Sequence, residues 1–118
     1  SHKLPVEIGG NRIMDIMFNP LEFSIIIDNI ADNARKANAT KLYIDFGNDD
    51  KGRYIKWIDN GYGLQADCDS SKVFEQGYTT TNGTGIGLYT VKKYAKKMNA
   101  TVTVNKEYRD GFEIQMRF

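Results

Sequence analysis

Asp28-Asn29-Ile30-Ala31-Asp32-Asn33-Ala34 is the stretch on which the fold turns. It continues an arc of Phe23, Ile26, Ile27, Ile30, Ala34 and Ala37, whose three- and four-residue spacing predicts a helix with that arc facing a core. Asn19 followed by Pro20 opens the helix, because the Asn side chain accepts free N–H groups and Pro lacks one; the helix should run to about Asn38. Beside the arc lies a narrow polar stripe of Glu22, Asn29, Asn33 and Lys36, spaced so that the side chains fall nearly in register along one edge. The plain reading of such a stripe is a solvated face. Interior asparagines are mediocre helix formers, however, and two of them four residues apart beside a core arc ask for a further reason.

Downstream, Lys41 to Phe46 alternates with Leu42, Ile44 and Phe46 on one face, and Asn48-Asp49-Asp50-Lys51-Gly52 supplies a turn into a second strand, Arg53 to Asp59. Ile55, Trp57 and Asp59 share a parity, so a core-facing Trp57 brings the Asp59 carboxylate inward, where it needs a partner. Asn60 to Asn82, rich in Gly, Ser, Thr, Asn and Asp, reads as a lid. Gly85 to Asn99 sets Leu88, Val91, Ala95 and Met98 against Lys92, Lys93, Lys96 and Lys97, an amphipathic helix with a wet lysine face and Asn99 as a left-handed stop. Thr101 to Lys106 and Phe112 to Phe118 alternate as antiparallel strands around a turn at Asp110-Gly111, and Arg12 to Phe18 is a weaker strand upstream of the first helix. The order β-α-β-β-lid-α-β-β predicts an α/β (α+β) two-layer sandwich, a mostly antiparallel mixed sheet with helices on one face.

The 118 residues leave room for one domain, expected over residues 3–118, with 41% hydrophobic residues and 7 Tyr, 6 Phe and 1 Trp to fill a core. Sixteen basic against 15 acidic residues give no field that calls for nucleic acid or an anionic membrane surface. No apolar run approaches ~18 residues. The single Cys68 has no partner in the chain and fits a reducing compartment; it is treated as incidental. Ser1 and His2, the latter the only histidine, look like a cloning scar and are set aside.

Three motifs in order, the Asn29/Asn33 helix, Asp59-Asn60-Gly61-Tyr62-Gly63 at a strand end, and Gly83-Thr84-Gly85-Ile86-Gly87-Leu88 at a helix start, together describe a nucleotide pocket. They also carry a resemblance. Asn29 to Ala34 resembles the N box of the gyrase, heat-shock chaperone, histidine kinase and mismatch-repair (GHKL) superfamily, and Asp59-x-Gly61-x-Gly63 resembles its first glycine box. Val73-Phe74-Glu75-Gln76-Gly77-Tyr78-Thr79-Thr80 is similar to the Phe-containing box of histidine kinases, and Gly83 to Leu88 to their second glycine box. The match spans about Pro20 to Phe118 and implies a Bergerat-type fold that binds ATP with magnesium.

On that resemblance, Asp59 accepts a hydrogen bond from the adenine amine, where guanine offers a carbonyl; standing alone it reads equally as the start of an Asp-Asn-Gly turn. Gly61 and Gly63 let the backbone approach the base, or serve as turn glycines. Asn33 offers a neutral oxygen to magnesium, a hard cation that keeps several waters and takes other ligands from phosphates. Asn29 orients a metal-bound water or phosphate oxygen and Lys36 neutralises phosphate charge, which makes these two the expected catalytic residues. Gly83, Thr84, Gly85, Ile86, Gly87 and Leu88 present free N–H groups and a positive helix end to phosphate. Thr79 and Thr80 add hydroxyl donors, unless the threonine run is only a solvated lid. Phe74 anchors the lid by packing.

One position separates the branches of the superfamily. Hydrolytic members carry Glu at the first N-box position as general base, whereas histidine kinases usually carry Asn, and here it is Asn29. An amide cannot take a proton from attacking water, so transfer to an external nucleophile is favoured over hydrolysis. Glu22, two turns away, and Asp28 are not obvious substitutes. The resemblance therefore implies the catalytic ATP-binding domain of a sensor histidine kinase, cytoplasmic even where its parent is membrane-anchored. A separate dimerisation domain supplies the phosphoacceptor histidine and a response regulator is the downstream partner; no nucleic acid or direct membrane contact is expected. The alternatives are an ATP-gated conformational or ATPase module, for which Ala37-Asn38-Ala39-Thr40 is mildly suggestive, and a nucleotide-binding interaction domain.

Overall fold

Asn19 caps the first helix as its position predicts: its side-chain oxygen accepts the N–H groups of Leu21 at 2.9 Å and Glu22 at 3.3 Å, and Pro20 is the first helical residue. The computed structural model describes residues 5–10, 19–63, 69–77 and 87–118. Within them the order is β1 (Val6–Gly10), α1 (Pro20–Lys36), β2 (Leu42–Asp49), β3 (Gly52–Asp59), α2 (Gly87–Lys97), β4 (Thr101–Val104) and β5 (Phe112–Arg117).

Helix α1 stops at Lys36 rather than Asn38 for a local reason. Asn38 turns left-handed at φ 59°, so its N–H reaches Arg35 O at 3.0 Å while Ala39 N–H reaches back to Ala34 O at 3.0 Å, closing the last turn on itself. Helix α2 ends in the same way at Asn99, φ 60°, the stop expected there, with Ala100 N–H on Ala95 O at 2.9 Å. β2 runs three residues past the expected Phe46. Asn48 and Asp49 pair with Arg53 and Gly52, which reduces the turn to Asp50-Lys51. The extension is held by Arg117 of β5, whose guanidinium meets both Asp49 oxygens at 3.0 and 2.8 Å. β4 ends at Val104, two residues before the expected Lys106: Asn105 still donates its N–H to Glu113 O at 2.9 Å, but its side chain accepts the Glu107 N–H at 3.1 Å and the chain turns there.

The five strands form one sheet in the order β1-β2-β3-β5-β4, with β1 parallel to β2 and the other pairs antiparallel. β1 lies upstream of the strand expected at 12–18, which falls outside the described residues. One sheet face carries Leu42 and Ile44, Ile55 and Trp57, and Ile114 and Met116, all essentially inaccessible to solvent. Against it pack Ile26 and Ile30 of α1 and Val91 and Ala95 of α2, while Phe23 leans its ring on Trp57 at 5.6 Å and on Phe46 at 6.4 Å. The result is the two-layer α/β sandwich that the element order predicts, with both helices on one face.

Candidate functional site

Asp59 is the last residue of β3, opposite Leu42 on one side and Phe112 on the other. The parity that buries Ile55 and Trp57 buries it too, leaving 4% exposed. Its Oδ1 accepts the Gly61 N–H at 2.8 Å. Burial raises the carboxyl above its ordinary 3.8, and the backbone N–H groups of Gly61 and Phe112 pull in the other direction. A buried acceptor with no cation beside it among the described residues suits a ligand N–H.

The loop after Asp59 is pressed onto the end of α1. A Cβ on Gly61 would stand 2.6 Å from Ala37 O and 2.8 Å from Ala37 Cβ, and Tyr62 N–H bonds Ala37 O at 2.9 Å. Gly63, at φ 77°, has Gly111 O 2.5 Å from where a Cβ would lie. The crowding that selects glycine at both positions is therefore with the chain's own backbone. Asn60 and Tyr62 extend the contact: Asn60 bonds Thr40 and Lys41, and the Tyr62 hydroxyl accepts from Asn38 Nδ2. Neither residue was singled out from the sequence, where the Asp-Asn-Gly turn was legible but its partner segment was not.

On α1, Asn29 donates Nδ2 to Ile25 O at 2.8 Å, and its Oδ1 has no hydrogen bond among the described residues. That oxygen lies 3.5 Å from the position of a Cβ on Gly87, the first residue of α2, so the N-box helix and the start of the glycine-box helix meet here. Asn33, one turn on, is half-buried. Lys36 Nζ sits 3.1 Å from Asp32 Oδ2, and Arg35 holds the other oxygen at 2.9 Å; the Arg35 hydrogen bond is the main reason the Asp32 carboxyl is depressed. To meet a phosphate, Lys36 must leave an exposed i,i+4 pair of a kind that contributes about 0.3–0.5 kcal/mol, a small barrier. The pairing was legible from the four-residue spacing of Asp32 and Lys36. Glu22 Oε2 is buried without a hydrogen-bond partner, two turns or roughly 10 Å along the helix from Asn29.

Leu88 packs against the core, and Val73 and Phe74 are buried at 6% and 7% exposure, the anchoring expected of Phe74. Thr79, Thr80, Gly83, Thr84, Gly85 and Ile86 lie outside the described residues, as does Cys68. Among the described residues no three His, Cys, Asp or Glu side chains cluster to hold a metal. A magnesium ion bound here would therefore take an amide oxygen together with phosphate and water oxygens, a hard-donor set that Asn33 fits. Among the described residues no helix is long and apolar enough to cross a membrane.

Comparison with known proteins agrees with this arrangement. The chain is similar in structure to the mycobacterial sensor histidine kinase MprB, with a TM-score of 0.76 and 20% identity over 96% of this chain and 79% of that one. It is similar also to the ATP binding domain of PrrB from Mycobacterium tuberculosis, with a TM-score of 0.75 and 22% identity over 98% of this chain and 79% of that one. Full-length ShkA in complex with AMPPNP matches at a TM-score of 0.73 and 25% identity, over 94% of this chain and 25% of ShkA. No curated protein sequence matches. The family model described as histidine kinase-, DNA gyrase B- and HSP90-like ATPase matches residues 19–118, from the cap of α1 to the last residue, and the chain belongs to that family.

Proposed function

We propose that the chain is the catalytic ATP-binding domain of a sensor histidine kinase, a single unit over residues 3–118 that holds Mg-ATP and presents the γ-phosphate to a histidine on a separate domain of the same parent. Asp59 accepts the adenine amine, with Gly61 and Gly63 bordering the base. Asn29, Asn33 and Lys36 face the phosphates, Asn33 as the protein's ligand to magnesium, and the backbone of Gly83 to Leu88 with the hydroxyls of Thr79 and Thr80 completes the anion site. Magnesium, when bound, neutralises charge on the phosphate oxygens. The protein's own contribution is orientation and exclusion of a competing general base.

The observation that carries this reading is Asn29. Its amide nitrogen is committed to Ile25 O and its oxygen turns toward the first residue of α2, where a hydrolytic relative would need a carboxylate. A neutral amide oxygen can orient a donor but not deprotonate it, so water stays inactive and a neutral imidazole, whose unprotonated nitrogen attacks without first losing a proton, is the competent nucleophile. The likeness to an ATP binding domain and to a kinase that carries an ATP analogue supports the ligand. A response regulator then receives the phosphoryl group, on the cytoplasmic side.

The experiment supplies labelled ATP to the chain alone and to the chain with the upstream segment of its parent. The expected result is slow phosphate release, no self-labelling, and transfer to the added segment as an acid-labile, base-stable phosphate. Fast turnover by the chain alone, abolished by Glu22→Ala or Asp28→Ala, moves the protein to the hydrolytic branch.

A further inference from the structure

Asn60 belongs to none of the ligand-facing positions above, yet its side chain makes three hydrogen bonds. Its Oδ1 accepts the backbone N–H of Thr40 at 2.8 Å and of Lys41 at 3.1 Å, and its Nδ2 donates to Thr40 Oγ1 at 2.8 Å. The β2–β3 ladder begins at the Leu42–Asp59 pair, so the N–H groups of Thr40 and Lys41 lie just past the last paired strand residues, and the Asn60 carboxamide takes the place of a strand there. The next two residues reinforce the attachment, Gly61 through its close approach to Ala37 and Tyr62 through its N–H on Ala37 O. The peptide that follows Asp59 is thus fixed to the end of α1. The Gly61 N–H that holds the Asp59 carboxylate is carried by that same fixed loop.

We infer that Asn60 is a positioning residue for base selection: by locking the loop after Asp59 to the α1–β2 connection, it sets the direction in which the carboxylate meets a purine, and with it the preference for a 6-amino over a 6-oxo purine. The inference rests on the proposed role of Asp59. A carboxamide that merely capped the strand end would change folding stability and leave the ratio of affinities for two purine nucleotides untouched. A mis-aimed acceptor changes that ratio, because only the amine-bearing base uses it.

The test titrates the chain with ATP and with inosine triphosphate, which carries a carbonyl oxygen in place of the amine. In the native chain ATP binds more tightly, and Asp59→Asn removes the preference. Asn60→Ala should narrow the ATP-to-ITP ratio about 5-fold, in the range of one well-aligned hydrogen bond, with ITP affinity nearly unchanged. Asn60→Asp, which keeps both acceptor bonds while the Thr40 hydroxyl turns to donate, should restore it. If Asn60→Ala does not fold, Thr40→Val removes one of the three bonds and should narrow the ratio about 2-fold. Equal binding of ATP and ITP by the native chain, or a preference that survives Asp59→Asn, overturns the role of Asp59 and this inference with it. A native preference that Asp59→Asn abolishes but that Asn60→Ala, or Thr40→Val in its place, leaves intact overturns the role of Asn60 alone.

Discussion

Replacing Asp59 by Asn separates recognition of the base from maintenance of the fold, because the two effects have opposite signs. In the native chain the carboxylate is 4% exposed and is met by the backbone N–H groups of Gly61 and Phe112; on the proposed reading its remaining lone pairs accept the adenine amine. An Asn at this position keeps an oxygen for Gly61 and turns an NH2 group toward the amine, donor against donor. The loss of a hydrogen bond to a charged acceptor, together with a buried donor left unpaired, should weaken ATP by about 1–3 kcal/mol, or roughly 5- to 150-fold in Kd. The fold responds differently. Burial raises the folded-state carboxyl above 3.8, so the ionised form is the one the native state disfavours, and stability is lost as pH rises through the raised value. Removing the charge should leave the unliganded chain at least as stable at neutral pH, with the difference closing as pH falls below the ordinary value. Titration calorimetry with ATP and GTP, beside thermal melts across pH, reads both quantities. Guanine's carbonyl would meet the new NH2, so the ATP-over-GTP preference should shrink or invert. Unchanged ATP affinity in a folded Asp59→Asn chain would falsify the assignment, and an affinity loss matched by a fall in melting temperature would reduce it to a packing effect.

Asn33→Ala should remove most of the enhancement that magnesium gives to ATP binding while leaving adenosine binding nearly unchanged; calorimetry with and without the metal checks it, and a magnesium dependence that survives in full excludes Asn33 as the ligand. The Asp49 carboxyl is depressed to about 2, first by its hydrogen bond to Arg117, so the stability this pair contributes is present above 3.8 and lost as pH falls through about 2. Melting temperatures of the native chain and of Asp49→Asn should therefore converge over that acid window and differ above it.

The parts of this fold that were legible in the sequence are those that local chemistry decides. Asn19 before Pro20 fixes the start of α1, the shared parity of Ile55, Trp57 and Asp59 fixes which way the carboxylate faces, and Asn99 fixes the end of α2. The expected end of α1 at about Asn38 falls two residues past its last helical residue, because Asn38 is the left-handed residue that closes the turn rather than a member of the helix. What stayed hidden depends on partners far along the chain. β1 has only five residues, two of them glycines, and becomes a strand by pairing in parallel with β2, whose register no local pattern announces. Asp49 belongs to β2 because Arg117 reaches it from the last strand. Gly61 and Gly63 read from the sequence either as letting the backbone approach a base or as turn glycines; the atoms that would collide with a side chain there belong to Ala37 and Gly111, and only the folded chain brings these together.

The same distinction explains how the site divides its work. On the proposed reading the base end is a buried carboxylate on a strand whose following loop is tied to the end of α1 by backbone and carboxamide bonds, a rigid arrangement suited to reading one amine. The end assigned to phosphate on that reading has a different character: an amide oxygen beside the start of α2, a half-buried Asn33, and a lysine in an exposed pair with Asp32. Neither amide can take a proton from water, and Glu22 Oε2, a buried carboxylate oxygen on the same edge, lies two turns away. On the proposed reading, nucleotide held by such a set is oriented and partly neutralised but not attacked, so the reaction waits for a nucleophile whose attacking atom has no proton to lose. An imidazole meets that requirement and a water molecule does not, which is why the residue at position 29 carries more of the functional argument than any glycine in the motifs around it.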